Sequence, residues 1–288
     1  MSGSNAIVTA SATGTGTSPE GLGQSLATMR AAVPLVHNIT NYVAMNFQAN
    51  VMLAAGASPA MIHAREEAAD FAAIASALTI NIGTLSPAWL DAMLWSAEAA
   101  RDAGRPWVLD PVAVGATQYR RQAGGVLLAR RPRAIRSNAS EVIALAGIGQ
   151  KEADGAGSGR GADATDTVHA AEEAARALAQ RSGAVVAVTG AEDFVTDGTR
   201  AVLIYGGSPI MPLITAMGCS LTGLSGAFLA AVDDPFDAMV GACALFSVAG
   251  ARAGRAAAGP GSFQMAFLDH LHTVTPEDLA DEAQVVSA

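Results

Sequence analysis

Apolar residues along this chain gather in short runs, and the segments between those runs repeat apolar positions every three or four residues. The runs PLVHNI (34–39), LTINIG (78–83), PWVLDPV (106–112), RAIRSN (133–138) and AVVAVTG (184–190) predict strands. Between them, YVAMNFQANVMLAA (42–55) sets Val43, Phe47, Val51 and Ala54 at helical spacing, and Pro87 opens PAWLDAMLWSAEAARDAG, which ends on a glycine. A further helix is predicted from about Thr165 to Arg181. Strands that alternate with helices make βα units, so the expected fold is α/β, a mostly parallel central sheet with helices on both faces. After Ala184 the rhythm changes: VVAVTG, EDFVTDG and RAVLIYGG read as strands joined by tight Asp-Gly or Gly-Gly turns, which adds an antiparallel edge. Helices take over from Cys219, with FDAMVGACALFSVAGARAG the longest.

One polar, glycine-rich segment stands apart, IGQKEADGAGSGRGADATD (148–166), and reads as a flexible insertion loop. The βα rhythm resumes directly after it, so residues 19–288 are expected to form a single domain. Residues 1–18, rich in Ser, Thr and Gly, are expected to be a disordered tail.

Composition narrows the partners. A hydrophobic share of 51% with only 5% aromatics and 30 glycines suits helices packed closely on a sheet rather than an aromatic-rich sandwich. A net charge of −9 without any Lys/Arg-rich run argues against nucleic acid or an anionic membrane as partner. Cys219 and Cys243 are too few for a disulfide framework or a cysteine-rich metal site, which points to a reducing cytoplasm. The opening MSGSNAIVTASATGTGTS has no basic stretch followed by an apolar block. No apolar run approaches the ~20 residues that span a bilayer, and the expectation is a soluble protein.

In a parallel α/β sheet, ligands bind beyond the carboxyl ends of the strands. Asp110 ends WVLDP, Arg136 and Asn138 end AIRSN with Glu141 three residues later, Thr189 and Gly190 end VVAVTG, and Cys219 follows TAMG. Asp110 and Glu141 offer hard oxygen ligands of the kind Mg2+ combines with waters and a substrate phosphate. Asp110 equally fits a turn before Pro111, and Glu141 a capping partner of Asn138. Arg136 offers a planar donor fork for a phosphate, or else a surface ion pair. The small residues Ala216, Gly218, Ser220 and Gly223 in TAMGCSLTG suit a helix start that approaches a phosphoryl group, or a tightly packed helix. Cys219 there is either a packed small hydrophobe or a tuned thiol. His37, in VPLVHNIT, reads as a satisfied strand-end histidine, and no Gly-x-Ser-x-Gly elbow or dinucleotide fingerprint is present.

Taken in order, PLVHNITNYVAMNF, AAGASPAM, LTINIGTL, VLDPVAVGAT, IRSNASE, VAVTG, TAMGCSLTGLSGAF and GPGSFQMAFLDHL resemble the hydroxyethylthiazole kinase family, from about Pro34 to Pro276. That resemblance implies a ribokinase-like fold and transfer of the ATP γ-phosphoryl group to the alcohol of 4-methyl-5-(2-hydroxyethyl)thiazole, with Mg2+. It implies a homotrimer with active sites between subunits. On matching positions it implies that Met61 contacts the thiazole and that Asn41 and Val43 help to line its pocket. Arg136 and Thr189 resemble ATP contacts, Asp110 and Glu141 the metal-phosphate carboxylates, and Cys219 stands in the place of the base. Ala216, beside the substrate in that likeness, departs from the usual glycine, and Ser137 likewise stands where glycine is common. The rival readings are a ribokinase-like kinase of another small vitamin-precursor alcohol and a non-catalytic vitamin-binding protein.

Overall fold

The five predicted strands form the middle of one nine-stranded sheet in the computed structural model, which describes residues 15–149 and 164–288. They are β1 (Leu35–Ile39), β3 (Ala77–Asn81), β4 (Trp107–Asp110), β5 (Ala134–Ser137) and β6 (Val185–Val188). With β2 (Ser58–Met61) they run parallel in the order β2-β1-β3-β4-β5-β6. β7 (Asp193–Thr196), β8 (Ala201–Tyr205) and β9 (Gln284–Ser287) then extend the sheet antiparallel from β6, and the Asp197-Gly198 signal falls on the turn between β7 and β8. Gly198 in that turn has φ of 89°, a left-handed conformation that glycine adopts at little cost. β2 and β9 carry little strand signal. β2 contains Pro59 and lies at the sheet edge, where a missing N–H is tolerated.

Successive residues of the central strands feed opposite faces. Val185 and Ala187 join one hydrophobic cluster, whereas Val186 and Val188 join the other. The first cluster contains residues of α1 (Pro19–Ala32), α2 (Met45–Ala55), α8 (Met217–Ala231), α9 (Pro235–Ala256), α10 (Pro260–Thr273) and α11 (Pro276–Glu282). The second contains residues of α3 (Ala68–Ile74), α4 (Pro87–Asp102), α5 (Gln118–Leu128), α6 (Ala139–Ala146) and α7 (Ala164–Ser182). Both faces are therefore covered, which is why the central strands are apolar without polar alternation.

Small residues bring α8 onto the sheet. A β-carbon on Gly226 would lie 2.7 Å from Thr79 Cγ2 and 3.1 Å from Val36 Cγ1, so only a bare backbone fits there. The helix thus crosses β1 and β3 closely and delivers its N-terminus to the carboxyl ends of the strands.

Two expectations change. Thr15–Thr17 form a 3-10 turn and Ser18 caps α1 by accepting the Gly21 N–H, so residues 15–18 belong to the folded part rather than to a tail. The rest of the expected tail, residues 1–14, lies outside the described residues, as do residues 150–163 of the expected insertion loop. Pro235–Ala256 is long and apolar enough to cross a bilayer by composition, contrary to the sequence expectation, but 78% of its most apolar window is buried. It is the core helix of the first cluster.

Candidate active site

The carboxyl ends of β3 and β4 set Asn81 opposite Asp110. Asp110 is fully buried. Its Oδ2 accepts from Asn81 Nδ2 at 2.7 Å and from Thr222 Oγ1 at 2.8 Å, and it lies 3.7 Å from Arg136 Nη1. Its Oδ1 has no hydrogen-bond partner among the described residues. Burial pushes the Asp110 carboxyl up to about 6, the Glu141 charge adds to the rise, and Arg136, Thr222 and Asn81 oppose it. A buried carboxylate with one bare oxygen is the arrangement a cation would relieve.

Glu141 proves to be both things the sequence allowed. It completes a capping box at the start of α6: its Oε2 accepts the Asn138 N–H at 3.0 Å while Asn138 Oδ1 accepts the Glu141 N–H at 2.9 Å. Its Oε1 also accepts the Ala113 N–H at 2.8 Å, across from the turn that follows Asp110. Each oxygen keeps a second lone pair. Among the described residues no three His, Cys, Asp or Glu side chains converge as a metal cluster. Two acidic side chains with one bare oxygen fit Mg2+, which needs few protein ligands when waters and a phosphate complete its shell.

Arg136 leaves the end of β5 with its side chain only 12% exposed. Its Nη2 donates to Thr189 Oγ1, and Thr189 Oγ1 in turn donates to the Ser137 carbonyl at 3.3 Å. Arg136 and Thr189 face a cavity of about 590 Å³, walled on its apolar side by Ile204, Met211, Leu221 and Phe246. Asp193 also lines it, its carboxyl raised to about 6 by burial and held back by the Gly190 N–H and by Arg136. Met217 and Gly218, in the first turn of α8, close the cavity. The first helical bond runs from the Ser220 N–H to the Ala216 carbonyl, and no side chain caps the helix, so the N–H groups of Met217, Gly218 and Cys219 precede the bonded turns. That end of α8 carries partial positive charge toward the cavity.

Cys219 Sγ accepts from Asn41 Nδ2 at 3.3 Å and from Asn81 Nδ2 at 3.2 Å. Burial pushes its thiol up, Asp110 adds to that, and the two asparagines and Arg136 pull the other way. The net direction keeps Cys219 a protonated thiol at neutral pH.

The structure therefore joins Asn41, Asp110, Arg136, Thr189 and Cys219 in one connected cluster, with Glu141 touching it through the Ala113 turn. Asn41 contributes its whole side chain to that framework, because its Oδ1 also accepts the Val43 and Ala44 N–H groups at 3.1 and 3.0 Å. Met61 ends β2, half-buried and in register with Asn38. Val43 is 62% exposed, and its backbone N–H donates to Asn41. Ala216 is the N-cap of α8 with φ of 67°, a left-handed conformation that its β-carbon disfavours.

Three residues that hold this framework together carry no sequence argument of their own. Asn81 ends the run LTINIG, and the same strand-end rule that selects Asp110 reaches it. Thr222 lies one turn beyond Gly218 on α8 and shares its helix face. Arg120 is invisible to pattern: it donates from Nη1 to the Ile82 and Val112 carbonyls at 2.6 and 2.8 Å and from Nη2 to the Gly83 carbonyl at 2.7 Å, tying the turns after β3 and β4 together.

Comparison with known proteins places the arrangement. The model of the hydroxyethylthiazole kinase family matches residues 26–277. A hydroxyethylthiazole kinase of Cereibacter sphaeroides is 58% identical over 269 residues, covering 93% of this chain and 100% of that protein. One from Rhizobium etli is 60% identical over 261 residues, covering 90% and 98%. The solved structure of a hydroxyethylthiazole kinase protein from Pyrococcus horikoshii superposes with a TM-score of 0.84 at 36% identity, covering 93% of this chain and 98% of that one. A pyridoxal kinase from Staphylococcus aureus matches at a TM-score of 0.58 and 14% identity, a likeness of fold alone that agrees with the ribokinase-like expectation. A strand-end carboxylate, an arginine-lined cavity and an uncapped helix start thus lie in a chain whose sequence matches one family over nearly its whole length: the chain belongs to the hydroxyethylthiazole kinase family.

Proposed function

We propose that this kinase transfers the γ-phosphoryl group of ATP to the primary alcohol of 4-methyl-5-(2-hydroxyethyl)thiazole with Mg2+ as cofactor, in thiamine biosynthesis or salvage. The observation that carries the reading is the single cluster in which Asp110 faces Arg136 on one side and, through Asn81, Cys219 on the other. One end of the cluster suits phosphates and the other suits a small alcohol.

The nucleotide occupies the 590 Å³ cavity, with its phosphates toward Arg136, Thr189 and the first turn of α8. The charge that develops on the transferring group meets the Arg136 guanidinium and the backbone N–H groups of Gly218 and Cys219. Asp110 and Glu141 would hold the Mg2+, directly through Asp110 Oδ1 and in support through Glu141. When bound there the cation offsets phosphate charge. The thiazole ring contacts Met61, an adaptable and polarisable side chain, next to the segment of Asn41 and Val43. Its hydroxyl lies at Cys219.

Cys219 acts as a thiol that receives and orients that hydroxyl. In a loose transition state the alcohol proton leaves late, so placing the nucleophile in line matters more than a strong base. The exposed Tyr42 and Val43, at 66% and 62%, lie on the face beside this pocket and support a homotrimer in which a neighbouring subunit completes it. The reaction belongs in the cytoplasm, where ATP is available and both cysteines stay reduced.

A panel of small alcohols with labelled ATP and Mg2+ tests the substrate. The thiazole alcohol is expected to give the highest kcat/KM. A higher value for a pyrimidine or pyridine alcohol contradicts the assignment.

A further inference from the structure

Asn81 spends every hydrogen-bonding valence of its side chain inside the cluster. Its Nδ2 donates to Asp110 Oδ2 at 2.7 Å and to Cys219 Sγ at 3.2 Å. Its Oδ1 accepts from Asn41 Nδ2 at 2.9 Å and from the Gly83 N–H at 2.9 Å. A primary amide has two donor hydrogens and two acceptor sites, so all four are in use. The side chain is 2% exposed. Its orientation is fixed by chemistry, because the Gly83 N–H can only donate and the ionised Asp110 can only accept. A flipped amide would set oxygen against carboxylate.

The surroundings hold this bridge in place. A β-carbon on Gly83 would lie 2.8 Å from Asn41 Nδ2 and 2.9 Å from Asn81 Oδ1, so the turn packs against both asparagines with no room for a side chain. Arg120 fixes the carbonyl of the same Gly83. On the sulfur, donors from Asn41 and Asn81 take the two lone pairs, which leaves the S–H directed away from both.

We propose that Asn81 is a positioning residue for phosphoryl transfer, setting the distance between the alcohol end of the site at Cys219 and the cation end at Asp110. This rests on the roles given above to those two residues. Asn81 binds neither substrate. It acts by holding the two groups that do, and the attacking oxygen reaches the phosphorus in line only if both are held at once. Losing that registration costs turnover, not substrate affinity.

Asn81→Asp keeps the acceptor oxygen that faces Asn41 and Gly83 and replaces the donor nitrogen by an oxygen set against Asp110 and Cys219. Asn81→Ser, which cannot reach both partners, removes the bridge without adding charge and serves as a second variant should the first not fold. Either is expected to lower kcat about 10- to 100-fold with both KM values within about threefold of wild type. Asn81→Asp sets a second buried oxygen against Asp110 and is expected to lower the melting temperature, so kcat and KM are compared at a temperature where each variant is folded. In a Cys219→Ala background the same substitution is expected to cost distinctly less, since one end of the bridge is already gone. Cys219→Ala turning over at the wild-type kcat overturns the reading of Cys219 and the proposal with it. An impaired Cys219→Ala beside an Asn81→Asp of wild-type kcat overturns the proposal alone. Full additivity of the two losses, or a loss expressed only in KM or melting temperature, also overturns it.

Discussion

Gly218 lies against the guanidinium of Arg136: a β-carbon built on it would fall 2.4 Å from Nη2 and 2.5 Å from Nη1. The first turn of α8 and the arginine at the end of β5 therefore meet through a glycine backbone, and both line the cavity assigned to the nucleotide. Gly218→Ala must push the guanidinium aside. Steady-state kinetics is expected to show the apparent KM for ATP rising about tenfold, a loss of ~1.4 kcal/mol, with a smaller change in KM for the alcohol. An unchanged ATP requirement would mean that Arg136 does not hold phosphate in the position the cavity suggests.

Ala216 pays for its left-handed backbone. At φ of 67° a residue with a β-carbon costs roughly 1 to 2 kcal/mol, and glycine removes most of that while adding some entropy to the unfolded chain. Ala216→Gly is expected to match or exceed wild type in urea midpoint, and Ala216→Val, whose β-branch fits this region worst, to fall clearly below it. A destabilised Ala216→Gly would show that the methyl's packing outweighs the strain.

His37 gives the fold a pH dependence with a definite sign. The ring is fully buried on β1, edge-on to Phe71 at 5.3 Å between centroids, and its Nε2–H donates to the Ile62 carbonyl at 2.7 Å. Burial lowers its pKa to about 4, against the opposing pull of that carbonyl. The unfolded chain takes up the proton near 6.5, so between about 4 and 6.5 it binds more protons than the folded one. The His37 contribution is complete above that window and is lost as pH falls through it. Urea midpoints at neutral pH and about pH 5 are expected to differ more for wild type than for His37→Gln. Equal differences would mean that the ring is not held neutral.

Much of this architecture is legible in the sequence, and the exceptions have physical causes. The central strands are apolar runs because both sheet faces are covered, and the antiparallel edge announces itself through the Asp197-Gly198 turn. The edge strands β2 and β9 do not, since Pro59 with half-buried positions in β2 and mostly exposed positions in β9 weaken any strand pattern. At the site, Asp110, Arg136 and Thr189 follow from the strand-end rule. The bridging by Asn81 and the three-carbonyl clamp of Arg120 depend on contacts between turns far apart in sequence, which no local pattern encodes. Met61 and Val43 are named by resemblance to the family, and what they touch depends on a bound substrate or a neighbouring subunit.

The raised thiol of Cys219 predicts slow alkylation. Only the thiolate reacts, and burial together with Asp110 holds the group above its ordinary 9.0. Iodoacetamide at neutral pH is expected to modify Cys219 more slowly than a free thiol, with the rate climbing only in alkali, and Cys219→Ala separates its signal from that of the buried Cys243. Consistent with a positioning role, Cys219→Asp, which keeps an acceptor, is expected to retain turnover while Cys219→Ala loses part of it. Rapid modification at neutral pH, or Cys219→Ala turning over like wild type, would contradict this.

The central claim is that Asp110 holds the cation through which phosphate and alcohol are brought together. Its most direct test is the Mg2+ dependence of phosphorylated thiazole formation, followed by mass spectrometry, in wild type and Asp110→Asn. Wild type is expected to form the product only with ATP and Mg2+ together, and Asp110→Asn to lose about 100-fold or more in kcat/KM, on the order of 3 kcal/mol of transition-state stabilisation, while remaining folded. An Asp110→Asn enzyme with wild-type kcat/KM and wild-type Mg2+ dependence would contradict the account.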